Sequence, residues 1–224
     1  MKTQSKFLLF FLLPVFIFAG YGKAEAKDFT GVIIYNITYE GDDFDSQTSA
    51  MLPKTMKIFI KGNKSRMEMN TGMGTTVVIF DADKKDAVTF MDMMGQKFAM
   101  TMTAEEIESE VSNAPEVDVE VTGETKEIAG YTCKKAIVKE KGENGTEHIV
   151  YFTDELGSGV LNYNNPVYKD INGVMLEYSS AQEGMTMNFS AIKVEKKKLS
   201  DKDFEIPEGY KVMTMDEFNN MFGG

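Results

Sequence analysis

Hydrophobic and polar residues alternate along most of this chain, and Gly, Asn and Asp interrupt the alternation at short intervals. A period of two marks half-buried strands, and those three residues supply the turns between them. Phe29–Tyr39 (FTGVIIYNITY) is a first long strand, dense in β-branched and aromatic residues. Met56–Lys61, Ser65–Thr71, Thr75–Phe80, Ala87–Met93 and Lys97–Thr101 follow as an antiparallel meander. Its separators are Gly62-Asn63, Gly72-Met73-Gly74, Asp81–Asp86 and Gly95-Gln96. Val117, Val119 and Val121 alternate with Asp118 and Glu120, a strand with one wet face. Tyr131–Glu140 and Thr146–Thr153 flank a turn pivoting on Asn144-Gly145, and Val174–Ala181 pairs with Met185–Val194 as a last hairpin.

Helical signals are few. Thr103-Ala104-Glu105-Glu106 is a capping box, and Ile107 and Val111 share one face, so a short helix runs to about Asn113, before Pro115. Thr214-Met215-Asp216-Glu217 is a second box, opening a terminal helix with Met215, Phe218, Met221 and Phe222 on one side. Between the last two hairpins, Asp154–Asn172 is a long connection of the kind that is often functional or partly ordered. The expected fold class is mainly β (α+β): one domain of about ten antiparallel strands with two or three short helices.

The first residues change the picture of where the chain works. Lys2 and Lys6 precede an apolar run, Phe7–Ala19, and Ala24-Glu25-Ala26 supplies a small-x-small cleavage pattern. Residues 1–26 read as a signal peptide, and 27–224 as a single β-rich domain. The run is shorter than a membrane span, and no Cys near the cleavage site offers a lipobox. The mature chain is thus expected to be periplasmic or secreted. Losing residues 1–26 removes three lysines and one glutamate, so the net charge of −11 becomes two units more negative. That charge disfavours nucleic acid and anionic membrane surfaces, and Lys196-Lys197-Lys198 is too short to reverse it.

Candidate chemistry is thin. Cys133 and His148 are the only residues of their kinds, so neither an intrachain disulfide nor a zinc site of Cys and His is available. With a two-residue turn at Asn144-Gly145 they stand about eight residues apart along the ladder, roughly 25 Å, and a four-residue turn leaves roughly 20 Å. A Cys–His couple needs a hydrogen bond. Cys133 is read as a small buried hydrophobe. Asp42, Asp43 and Asp45 read as a solvated loop, and Asp81, Asp83 and Asp86 as turn residues. No nucleophile elbow, P-loop or dinucleotide fingerprint occurs, so no enzyme activity, catalytic residue, cofactor or metal site is assigned.

Methionine is the unusual feature: 17 residues, many spaced i, i+2, as in Met67/Met69, Met91/Met93, Met100/Met102, Met185/Met187 and Met213/Met215. On a strand that spacing puts both side chains on one face. Three readings stand: ordinary core, a pliable apolar cavity, and soft-metal binding of copper(I) by thioethers. For the cavity the candidate lining is Met67, Met69, Phe98, Met100, Met102, Met185, Met187 and Phe189.

IAGYTCKKAIV, the hairpin after it and the terminal FEIPEGYKVM resemble signatures of a family of exported bacterial proteins common in Bacteroidetes-like Gram-negative species. That family is similar in fold to the LolA/LolB periplasmic lipoprotein carriers, which implies a curved antiparallel half barrel around an apolar cavity, with helices as lids. Thr103–Asn113 and Thr214–Phe222 would be the lids here. The resemblance implies a periplasmic binding protein or chaperone for a lipid, a lipoprotein acyl chain or another apolar ligand. The alternative is a structural or protein-interaction module of the envelope with a filled core, and the third is copper(I) binding. The exported chain should begin at Lys27. Intact-mass measurement of the exported fraction checks this, and a retained leader or an added lipid mass would overturn it.

Overall fold

The computed structural model describes residues 29–41, 50–72, 74–93, 95–142, 145–182 and 185–222. The expected leader, the Asp42–Asp45 loop, Met73 and Asn144 lie outside the described residues.

The alternating segments become β1 (Thr30–Gly41), β2 (Thr55–Lys61), β3 (Lys64–Thr71), β4 (Gly74–Asp81), β5 (Asp86–Met93) and β6 (Gln96–Met102). After α1 (Ala104–Asn113) come β7 (Val117–Ile128), β8 (Tyr131–Glu140) and β9 (Glu147–Thr153), then β10 (Val174–Gln182) and β11 (Met185–Lys196). The chain closes with β12 (Lys211–Thr214) and α2 (Met215–Phe222). All twelve strands join one open sheet, in the order β12-β6-β5-β4-β3-β2-β1-β11-β10-β9-β8-β7. β1 therefore sits inside the sheet, with β2 on one side and β11 on the other.

Four expectations need correction. The sheet is not wholly antiparallel, because β12 runs parallel to β6. The helical content is slightly off. Among the described residues the one long helix is the ten-residue α1, joined by the two-turn α2 and by single 3-10 turns at Gly159–Asn162 and Asp201–Phe204. The Asp154–Asn172 connection is an ordered plug. Leu156, Tyr168 and Ile171 are buried, and Asn162 donates to the carbonyls of Ile171 and Gly173 at 2.8 and 3.0 Å. Finally, the β8–β9 turn is longer than two residues, since Val138 faces His148 and the Glu140 N–H donates to Thr146. The β7–β8 turn is the tight one: Ala129 and Gly130, at φ 49° and 86°, make the left-handed pair that a two-residue hairpin requires.

The β7–β8 end of the sheet bends back over its middle. Ile128 and Cys133 pack in one cluster with Tyr35 of β1, Leu176 of β10 and Phe189 of β11. Lys126 of β7 reaches Glu177 of β10 at 2.7 Å, across the two intervening strands. The interior of this roll is filled: Tyr178 stacks on Phe189 with ring centres 4.8 Å apart, and the Tyr35 hydroxyl donates to the Met175 carbonyl at 2.7 Å. The plug adds Tyr168 and Ile171 over Ala136, Val138 and Val150.

Leu176 has no exposed surface and lies at the centre of the roll. Leu176→Ala should cost about 2–5 kcal/mol, the range for a buried leucine whose site cannot collapse. Urea unfolding should show a lower midpoint with an unchanged slope; an unchanged midpoint would deny the roll its role as core.

Candidate apolar binding face

Antiparallel partners stand directly opposite each other, so a register determines which side chains share a face. Met67 and Met69 on β3 face Val78 and Thr76 on β4. Those face Thr89 and Met91 on β5, which face Met100 and Phe98 on β6. In the other direction, Met69 faces Met56 on β2, and Met56 faces Tyr35 on β1. Along β1, Ile37 and Tyr39 face Phe189 and Met187 on β11, and Gly41 faces Met185. Met102 follows Met100 by one period. All eight residues selected from sequence therefore lie on a single face.

Within that face they divide among packing groups. Met67, Met69, Met187 and Phe189 join the cluster around Tyr35. Phe98 and Met100 pack with Met213 of β12 and Phe218 of α2. Met102 packs with Phe80, Ala87 and Ile107 of α1. Met185 is half-buried at the far end of β11. Between these groups, Thr76, Val78 and Thr89 leave the middle of β4 and β5 half-exposed. The result is an uncharged, half-exposed window on the sheet between the α1 and α2 packing groups and the roll.

Charge is sorted cleanly between the two faces. From β2 to β6 the register places no Asp, Glu, Lys or Arg on the methionine face. Lys57, Arg66, Glu68, Asp92 and Lys97 all fall on the opposite face. Yet the charged face is the covered one at its centre. The C-terminal tail lays Leu199 and Phe204 over Val77, Ile79, Phe90 and Ala99. Arg66 ties this strap down by donating to the Asp203 carbonyl at 2.9 Å. The strap's capping box, Ser200 with Asp203, holds the Asp203 carboxyl below its usual range through backbone and side-chain hydrogen bonds.

The residues of possible reactivity are engaged elsewhere. His148 is buried, its Nε2 2.8 Å from a Glu140 carboxylate oxygen and its ring edge-on to Tyr168. Tyr168 in turn donates to the Ser179 carbonyl, and burial pushes its hydroxyl up to about 12. The Glu140 partnership was hidden from sequence because the two-residue turn puts Lys141 opposite His148. Cys133 lies five residues along β8 from Val138, the residue facing His148, so roughly 16 Å separates the pair. Its thiol donates to the Tyr131 carbonyl at 3.6 Å. Asp81 behaves as a turn residue, accepting from the N–H groups of Asp83 and Lys84. Among the described residues, no three His, Cys, Asp or Glu side chains converge as metal ligands.

A second feature borders the window. A surface hollow of about 440 Å³ lies against β12 and α2, lined by Lys211, Val212, Met213, Glu217, Asn220 and Met221. Its signal in the sequence was the Thr214–Glu217 capping box, which forms as expected, with Thr214 N–H donating to Glu217 at 2.8 Å.

A family model described as a domain of unknown function, DUF4412, matches residues 44–160. No curated protein matches the sequence. Among solved structures, the chain is similar to the lipoprotein LppX of Mycobacterium tuberculosis at 9% identity and a TM-score of 0.39, covering 76% of this chain and 89% of that one. LprF from Mycobacterium bovis aligns at 11% identity with a TM-score of 0.34, covering 80% and 90% respectively.

Burial, followed by the charges of Glu127, Glu155 and Glu177, raises the Cys133 thiol from its ordinary 9.0 to about 11. The folded state thus favours the protonated thiol, and its contribution to stability is complete below pH 9 and declines as pH rises from there toward 11. Labelling of native protein by a thiolate-selective reagent should stay slow and flat from pH 7 to 9, while unfolded protein labels faster with each step. Rapid native labelling at pH 8 would contradict the burial of Cys133.

Proposed function

The chain belongs to the DUF4412 family, and within it we propose that this protein is a periplasmic carrier or chaperone that holds an acyl chain or similar elongated apolar molecule against its methionine face. The observation that carries the reading is the charge-free face of β2–β6, half-exposed at Met67, Met69, Thr76, Val78, Thr89 and Met91 and set in an acidic chain of net charge −11. An apolar surface of this kind is costly to leave in water, and flexible thioethers line it without imposing one ligand shape. Covering it with about eight methylenes contributes on the order of 6 kcal/mol before the cost of association is subtracted. In this reading β2–β6 are the wall of a half barrel, and α1 and α2 flank its mouth. The leader-like pattern of residues 1–26 supports export. Cys133 and His148 are both engaged in packing, which supports a binding role over an enzymatic one.

One observation favours a second reading, a protein-interaction module of the envelope. The roll is filled by Tyr35, Leu176 and Val150, so no ligand enters there, and Val121 and Ile149 are exposed on β7 and β9. The two readings part at the window. A fluorescent fatty-acid analogue should bind the mature protein, Met67→Leu with Met69→Leu should leave binding intact, and Met67→Glu with Met91→Glu should weaken it at least tenfold. Absence of probe binding by the native protein, or equal binding by the glutamate variant, would remove the carrier reading and leave the module.

A further inference from the structure

We propose that Met91, Met100, Met213 and Met215 form a thioether site for a soft monovalent cation of the copper(I) class. Four methionines from four elements, β5, β6, β12 and α2, gather in one cluster with Phe98 and Phe218. Met100 and Met213 stand opposite each other across the parallel β6–β12 ladder. Both are buried, while Met91 and Met215 are half-buried and form the outer part of the group. More than a hundred residues of chain separate the two halves, so their packing in one cluster is a property of the fold and not of local spacing.

The chemistry of the set is selective. A thioether is neutral, polarizable and carries no proton to lose, so it favours copper(I) and silver(I) over calcium, magnesium or zinc, which demand oxygen, nitrogen or thiolate. The register leaves no charged residue of β5 or β6 on this face, and the one cation beside the group among the described residues, Lys211 of β12, stands opposite Phe98 with its side chain exposed. The two rings, edge to face with centres 6.1 Å apart, pack against the same methionines. The hollow against α2 borders the group, lined by Met213 itself and by the exposed Met221, with Lys211, Glu217 and Asn220 as its polar lining residues. A cation can reach Met213 without opening the roll. Ordinary packing would be served as well by leucine, and that difference makes the proposal testable.

The test titrates the folded, mature protein with copper(I) under anaerobic conditions against a chromophoric copper(I) chelator, in a Cys133→Ala background that removes the only thiol. One equivalent should be taken up, with uptake independent of pH from 5 to 8. Met100→Leu with Met213→Leu should weaken it at least tenfold, and so should Met91→Leu with Met215→Leu, a half-buried pair that spares the fold if the buried pair does not. Met67→Leu with Met69→Leu, outside the cluster, should bind as the parent does. X-ray absorption at the copper edge should report a shell of sulfur alone. No stoichiometric uptake, uptake unchanged in both leucine pairs, or a shell of oxygen and nitrogen would each overturn the proposal. Fatty-acid binding is scored separately, so the failure of either idea leaves the other standing.

Discussion

Side chains leave a strand alternately on its two sides, and in β2–β6 short hairpins lock that alternation into register over five strands. A slip of one residue in any of these hairpins would carry Arg66, Glu68 or Lys97 onto the methionine face. The separation of charge from thioether therefore depends on the turns, Gly62 and Gly95 among them, both at positive φ. The strap from Leu199 to Phe204 then completes the asymmetry by covering the centre of the charged face and leaving the uncharged one half-open.

The two ends of the sheet solve the same problem in different ways. At the β7–β8 end the sheet buries its apolar surface on itself, with the plug at Tyr168 and Ile171 closing what the bend leaves open. At the β6–β12 end two short helices supply the cover, Ile107 over Phe80 and Phe218 over Phe98. The stretch between receives neither treatment. The roll is filled by its own side chains, while the stretch between leaves Thr76, Val78 and Thr89 half-exposed.

Much of this was legible in the sequence because it is local. The hairpins follow from Gly and Asn between alternating runs, and both expected capping boxes form, Thr103 with Glu106 and Thr214 with Glu217. The i, i+2 methionines that lie on strands fell on one face because a period of two carries no other meaning on a regular strand, whereas Met215 opens α2 and leaves the period. What stayed hidden is long-range. β12 looks like tail because four residues carry little pattern, and its partner lies more than a hundred positions earlier. The plug has apolar residues at no fixed period, so Leu156, Tyr168 and Ile171 read as loop until the cleft they fill is known. The bulge between Val121 and Thr125 has no composition of its own beyond Gly123.

β1 pairs along both of its edges, with β2 beginning at Thr55 and with β11 ending at Lys196. A chain delivered from its N-terminus presents the two partners at different times. The β1–β6 meander can zip up from neighbouring contacts while the other edge of β1 waits, unpaired and rich in Ile, Val and Tyr. Such an edge is sticky, and sheets that depend on distant pairing fold slowly and aggregate readily on the way. For this architecture the hazardous interval is the delay before residues 185–196 arrive, and a cell making the protein has to shelter one strand edge through it.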